Sequence, residues 1–362
     1  MTAPTYSAEN ERLKRRYFGY LRTAKRYSDS SVDEVAKALH RFETYTRFRD
    51  FRKFHIEQAN GFKKHLAESR NIRTGKPLAK ATVYGTLTYL RAFFHWLADQ
   101  PNYRSKLSYS DADYFSLSEK DIRIAKAERE RPFPSLEQVL HVLRSVPAAT
   151  EIEKRDRAVI ALTLLTGARD RALASLKLKH IDLAQKSLIQ DARDVRTKFS
   201  KSFPSSFLPV GAEAVTIITD WVSFLRTEKL FGPEDPLFPK TAVVVGPCSQ
   251  FVAAGLSREF WSDAAPIRKI FKVSFERAGL PYYNPHSIRK TLVQLGQQLC
   301  STPEEFKAWS QNLGHEQVMT TFRSYGSVSQ SRQAEIIQKL GQPKVSDAEL
   351  RSKLQDLLAA SA

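Results

Sequence analysis

The chain has 362 residues, a formal net charge of +18, 42% hydrophobic and 27% charged residues. This is ample apolar material for two domains, and it excludes a wholly disordered or fibrous chain. No apolar run approaches the roughly 18–20 residues of a membrane span, no apolar signal core follows Met1, and Cys248 and Cys300 lie too far apart for a metal-ligand pair. The expectation is a cytoplasmic protein with no membrane contact, whose excess positive charge suits a polyanion, chiefly nucleic acid.

The N-terminal part reads as all helix. Residues 1–132 hold 27 Lys and Arg against 16 Asp and Glu, a net of +11 out of +18. Bases alternate with aromatics at Arg15, Arg16, Tyr17, Phe18, Tyr20 and Arg22, and again from Arg47 to Phe54. That mixture suits a surface following a phosphate backbone. Taken singly, each aromatic is more simply a core residue whose basic neighbours face water. Residues 8–26 predict a basic helix. Ser30 or Ser31 is expected to cap a second, with Val32, Val35, Ala36, Leu39 and Phe42 on one face. Residues 55–69 predict a third, ending at the breakers Thr74, Gly75 and Pro77. Lys80 to Gln100 predicts the longest, and Lys80, Thr82 and Tyr84 near its start are the expected DNA-contacting residues. The domain boundaries read as a basic extension over 1–29, a helical bundle over 30–115, and a linker over 116–134 that carries the charge run before Pro132 and Pro134.

A second domain is expected over 135–345, opening at Ser135. A helix through Ile160 and Leu164 breaks at Thr166-Gly167, which places Arg169 at the start of the next helix. Three short strands follow at 178–182, 187–191 and 205–210, with the basic loop Arg196-Thr-Lys198-Phe-Ser-Lys201 between the last two. Helices are expected at 211–229 and 266–278. His286 and Arg289 stand three apart at a helix start, so both can face one way. His315 follows Gly314, and Tyr325 precedes Gly326. The segment 241–265 has no clear pattern and reads as an insertion. Ser346 is expected to cap a last helix, over 346–362, with Leu350, Leu354, Leu357 and Leu358 as an apolar stripe.

Arg169, Lys198, His286-x-x-Arg289, Gly314-His315 and Tyr325, in that order, resemble the tyrosine recombinase (phage-integrase) family over roughly 155–330. The preceding bundle is similar to that family's core-binding domain. The implied fold is mostly α with a small β-sheet: an N-terminal helical core-binding (SAM-like) bundle and a C-terminal α+β integrase-type catalytic domain. The implied activity is site-specific DNA recombination, with Tyr325 as nucleophile, Lys198 as general acid, and Arg169, His286, Arg289 and His315 completing the catalytic set. Lys201 and Lys290 join Lys80, Thr82 and Tyr84 as expected DNA contacts. The resemblance also implies duplex DNA bearing specific sites as partner, a homo-tetramer on paired sites with the C-terminal helix exchanged between protomers, and candidate accessory DNA-bending proteins. A nucleoid-associated protein of a bacterium, phage or mobile element fits these. Three departures stand out. Ala172 occupies the position where the family commonly has Glu, with Asp170 as the nearby acid. Lys290 stands where His is frequent. The spacing from His315 to Tyr325 is ten, where nine is common.

These residue types suit phosphodiester cleavage. Arginines can grip non-bridging oxygens bidentately, which lysine cannot copy. With no carboxylate cluster for Mg²⁺ in the sequence, neither a metal nor a cofactor is expected. A tyrosine with an ordinary pKa near 10 needs a base or a positive pocket, and His286 is the candidate base. A relaxing topoisomerase or resolvase with the same chemistry, and a DNA-binding regulator that has lost catalysis, are the alternative readings.

Overall fold

The computed structural model describes residues 6–72, 74–127, 132–197, 201–246 and 249–315. The chain divides into two units, 1–128 and 129–362.

In the first unit the regular elements among the described residues are helices, with one isolated bridge between Arg70 and Pro77. Ser7 accepts a hydrogen bond from the Asn10 amide and opens α1, Ala8–Thr23. Ser28, rather than Ser30 or Ser31, caps α2, Asp29–Tyr45. It is the residue with extended backbone and a hydroxyl facing the free amide of Ser31, which a cap requires. After a 3₁₀ turn at Phe51–Lys53 come α3, Ile56–Glu68, and α4, Lys80–Ala98. Then follow α5, Tyr109–Asp113, and α6, Glu119–Lys126.

One core holds these helices together, with Leu39, Phe42, Phe62, Leu90, Phe93 and Phe94 at 1% exposure or less. Phe42 meets Phe62 and Phe94 edge-on, at 5.2 and 5.6 Å between ring centres. Tyr17 and Phe51 are buried in the same core, and Phe18, Tyr20 and Phe54 pack against it. The interleaved aromatics are therefore core, as the simpler reading of each one has it, and the charge excess of the segment lies on the exposed bases beside them. Helical spacing turns every third or fourth residue inward, so neighbouring bases are left in water.

Helix α1 belongs to the bundle. Buried Asn10 donates to Glu43 on α2 and to the Arg49 carbonyl, and accepts from the Phe51 amide. Lys14 neutralises buried Glu43 at 2.7 Å. The expected linker also changes. Leu117 packs against the core, and α6 packs along α4 with Lys80 paired to Asp121 and Lys126 over the Tyr84 ring. Ser118 supplies the cap for α6, and its amphipathic face explains why this charged stretch is structured.

In the second unit, Ser135 and Gln138 form a capping box that starts α7, Leu136–Ser145. Thr150 and Glu153 do the same for α8, Glu151–Thr166, whose residues from Ala158 onward are all buried. Helix α8 packs against α7 and the later helices α10, Ala212–Thr227, α11, Ala265–Arg277, and α12, Pro285–Leu299. After α8 comes the short α9, Asp170–Leu173. An antiparallel three-stranded sheet follows, in the order β1, Ile181–Asp182, β2, Ser187–Gln190, and β3, Phe203–Ser206. Leu188 pairs with Ser205 across β2 and β3.

Two strands differ from expectation. Residues 178–180 form a 3₁₀ turn, and β3 ends before Leu208, whose amide turns away to the Leu165 carbonyl at the end of α8. The stretch expected to be an insertion holds the ribbon β4, Thr241–Val245, and β5, Phe251–Leu256. Helix α13, Pro303–Asn312, closes the described part. The expected helix from residue 346 lies outside the described residues.

Candidate active site

Gly167 ends α8 in the left-handed conformation, φ +62°, open to glycine at no steric cost. A Cβ there would also lie 2.6 Å from Leu313 Cδ2. The turn lets Arg169 stand as the N-cap of α9 with extended backbone, as the Thr166-Gly167 break implies. On the other side, Asn284 accepts from the Ser287 amide and Pro285 is the first residue of α12. This places His286 exposed in the first helical turn and Arg289 one turn on, facing inward at 4% exposure.

Arg289 is the hub. Its Nη1 donates to the Gly167 carbonyl at 2.6 Å. Its Nη2 donates to the Leu313 carbonyl at 2.6 Å and lies 2.7 Å from His315 Nε2. A guanidinium has no acceptor, so Nε2 must accept and the ring proton of a neutral His315 sits on Nδ1. Arg289 Nε is buried with no hydrogen-bond partner among the described residues. Burial, and then the charge of Arg169, push the Arg289 pKa down to about 9, which leaves it protonated at neutral pH. Burial also lowers Arg169. Among the described residues no carboxylate pairs with either guanidinium. Two mutually repelling cations, Arg289 buried and Arg169 half-buried, are costly alone and are relieved by an incoming anion.

The position three residues after Arg169 is buried Ala172, which offers no polar group. The acid of this turn is Asp170, which accepts from Arg268 Nε on α11 at 2.8 Å. That hydrogen bond holds the Arg268 pKa above its ordinary value.

His315 is placed by the sheet. Asn312 pairs with the edge of β3 as another strand would: its Oδ1 accepts from the Ser206 amide at 2.6 Å and its Nδ2 donates to the Ser206 carbonyl at 2.9 Å. Gly314, φ +69°, lies against the Phe203 ring, which occupies the space a Cβ would need. The loop between β2 and β3 is tied at both roots. Ser202 Oγ accepts from the Ala192 amide at 2.9 Å. Asp194 pairs with Lys177 and Lys179 at 2.8 Å each, and the Arg196 amide donates to Ser175 Oγ at 2.8 Å. Hydrogen bonds from Lys177 and Lys179 hold Asp194 well below the usual carboxylate range.

The structure thus brings Arg169, Arg289 and His315 together, with His286 on the same helix. Lys198 and Tyr325 lie outside the described residues. Lys201 is half-buried on the return of the loop, and Lys290 lies 5.9 Å from the Phe133 ring centre. Lys80, Thr82 and Tyr84 belong to the first unit. Lys80 is exposed beside Asp121, and Thr82 and Tyr84 are half-buried. Asn312, Phe203, Asp194 and the Asp170–Arg268 pair escaped the sequence reading. Only Asn312 had a local signal, as part of Asn-Leu-Gly-His.

A mostly helical domain with a small sheet carries a paired-arginine centre with no carboxylate partner among the described residues, an arrangement suited to an anion. The chain is a member of the phage integrase family, whose model matches residues 133–332. It is 25% identical over 178 residues to the tyrosine recombinase XerC 2 of Ralstonia nicotianae, 49% of this chain and 46% of that relative's length. It is 23% identical over 324 residues to the XerC of Natranaerobius thermophilus, 89% of this chain and 96% of the relative. A solved lambda integrase tetramer bound to a Holliday junction shares the fold, with TM-score 0.56 and 15% identity over 85% of this chain and 77% of that one.

Proposed function

We propose that this tyrosine recombinase family member cleaves and rejoins duplex DNA at specific sites through a 3′-phosphotyrosine at Tyr325. The observation that carries the reading is the convergence of Arg169, Arg289 and His315 with no carboxylate among the described residues to neutralise the two guanidinium groups. Such a centre suits the extra negative charge of a five-coordinate phosphorus.

Arg169 and Arg289 hold the non-bridging oxygens. The Tyr325 hydroxyl attacks phosphorus as His286 takes its proton, so a Tyr–O–P bond forms while the P–O5′ bond breaks. Lys198 gives its proton to the departing 5′ oxygen. The phosphotyrosine keeps the bond energy, so a different 5′ hydroxyl can reverse the step without ATP. His315, already bonded to Arg289, steadies that guanidinium against the phosphate. The expected partners are duplex DNA and three further copies of the chain on paired sites. The +18 charge supports the first, and the likeness to a tetramer bound to a Holliday junction supports both. A role in integrating or recombining a mobile element is part of the same proposal.

The test is covalent trapping on a nicked suicide substrate. Wild-type protein should form an adduct that resists denaturant and persists in EDTA. Tyr325→Phe should form none while binding DNA nearly as tightly, because the hydroxyl attacks but contributes little to affinity. An adduct with Tyr325→Phe means another nucleophile. No adduct with wild type favours the regulator that has lost catalysis. Strand exchange between two sites, as against relaxation alone, separates a recombinase from a topoisomerase.

A further inference from the structure

Arg169 is half-buried, and among the described residues no hydrogen bond or ion pair holds its side chain. Its place is therefore set by the backbone that bears it. That backbone leads into α9, a single turn closed by the Leu173 and Ala174 amides on the Arg169 and Asp170 carbonyls. One turn of helix is too short to hold itself in place. Ala172 and Leu173 bury one side of it, at 1% exposure each. The other side needs a support from elsewhere in the fold.

Asp170 supplies that support. Its Oδ1 accepts from the Arg171 amide at 2.9 Å, and its Oδ2 accepts from Arg268 Nε at 2.8 Å. Arg268 stands in the first turn of α11, where Ile267, Ile270, Phe271 and Phe275 are buried. The short helix is thus braced against a long one that the core holds. A second tie runs beside the first. Ser175, two residues past α9, accepts from the Arg196 amide, and Arg196 Nη1 donates to the Ser262 carbonyl ahead of α11. Tyr282, two residues before the α12 cap, has its pKa raised by burial and also senses the charges of Arg268 and Asp170. The pair stands where α9, α11 and the approach to α12 meet.

The Asp170 and Arg268 side chains are 26% and 52% exposed, and a pair so open to water contributes little to stability. Placement is another matter, because a shift of about 1 Å at a reacting group can cost about 10²-fold in rate. We infer that Arg268 is a positioning residue for Arg169: through Asp170 it braces α9 against α11 and so sets where the Arg169 guanidinium meets the phosphate. The part of this that concerns the reaction rests on the recombinase reading above.

The experiment compares the full chain carrying Asp170→Ala, Arg268→Met, or both. With protein saturating a nicked suicide substrate, each single variant should form adduct about tenfold more slowly. The double variant should be no slower than either, since all three lose the same bond. The two single variants change the local charge in opposite directions. A field effect alone would speed the first and slow the second, whereas a lost brace slows both. Thermal midpoints and DNA affinity should stay at wild-type values, and Arg268→Lys should recover most of the rate. Modification of Arg169 by phenylglyoxal, read by peptide mass spectrometry, should quicken in both single variants. Opposite changes in rate, additive losses, or a fall in thermal midpoint that accounts for the lost rate would overturn the inference. So would weaker DNA binding by Arg268→Met with a shallower salt dependence, which would make Arg268 a phosphate contact. If wild type forms no adduct, the recombinase reading fails, and the modification rate of Arg169 alone decides whether the pair places that side chain.

Discussion

Arg289 and His315 lie 2.7 Å apart, Nη2 to Nε2, although 26 residues separate them in the chain. The bond makes His315 an acceptor at Nε2, and two backbone carbonyls complete the seat of the guanidinium. Replacing Arg289 or Arg169 by Lys keeps the charge and loses the fork. The cleavage rate on the suicide substrate should fall by about 10²–10³ for each. DNA affinity, which many phosphate contacts share, should change far less. Equal loss of affinity and rate would assign these arginines to binding alone.

Gly167 combines a left-handed backbone with a carbonyl bound to Arg289. Gly167→Ala should cost at least about 1 kcal/mol in backbone strain, with more from the collision with Leu313. Thermal unfolding should show the loss. Cleavage should fall with it even at temperatures where the protein stays folded, since the Arg289 seat moves.

Lys198→Ala should slow cleavage of an ordinary 5′-oxygen leaving group. A 5′-thio leaving group needs no proton and should restore the rate. Persistent slowness with sulfur would remove Lys198 from the general-acid role.

Asp194 ties the root of the loop that carries Lys198. Lys177 and Lys179 hold its folded-state pKa below the ordinary value of 3.8. A depressed carboxylate stabilises the fold above its unfolded pKa and loses that contribution as pH falls through the folded one. Wild type should therefore melt higher than Asp194→Asn near pH 7, and the gap should close as pH drops below about 4. A gap that stays constant down to pH 2 would contradict the pairing.

Tyr103 is 1% exposed and its hydroxyl is buried without a hydrogen-bond partner among the described residues. Burial pushes its pKa up to about 12. Tyr103→Phe should be neutral or raise stability, by up to about 1 kcal/mol, because an unsatisfied polar group is removed and the ring stays. Its loss should also remove one of the late-titrating phenols seen in ultraviolet absorbance between pH 10 and 13.

Local signals in the sequence determined much of this protein. The Gly167 break, the Asn284-Pro285 helix start and the Ser135 cap are matters of backbone geometry within a few residues, and their sequence positions were sufficient to place Arg169, His286 and Arg289 on their elements. The ordered set of Arg, His and Tyr positions carried the family. What neighbouring residues could not decide was which faces turn inward and which distant groups meet. The basic-aromatic stretches are core because packing claims the aromatics. The charged stretch from Glu119 is helix because α4 offers it a surface. The salt bridges of Asp194, the Asn312 clasp on β3 and the Arg289–His315 bond each join residues that only tertiary structure makes neighbours. Helix and turn propensities act over one or two turns of chain, whereas charge pairing and burial depend on proximity in space, and the fold alone sets that.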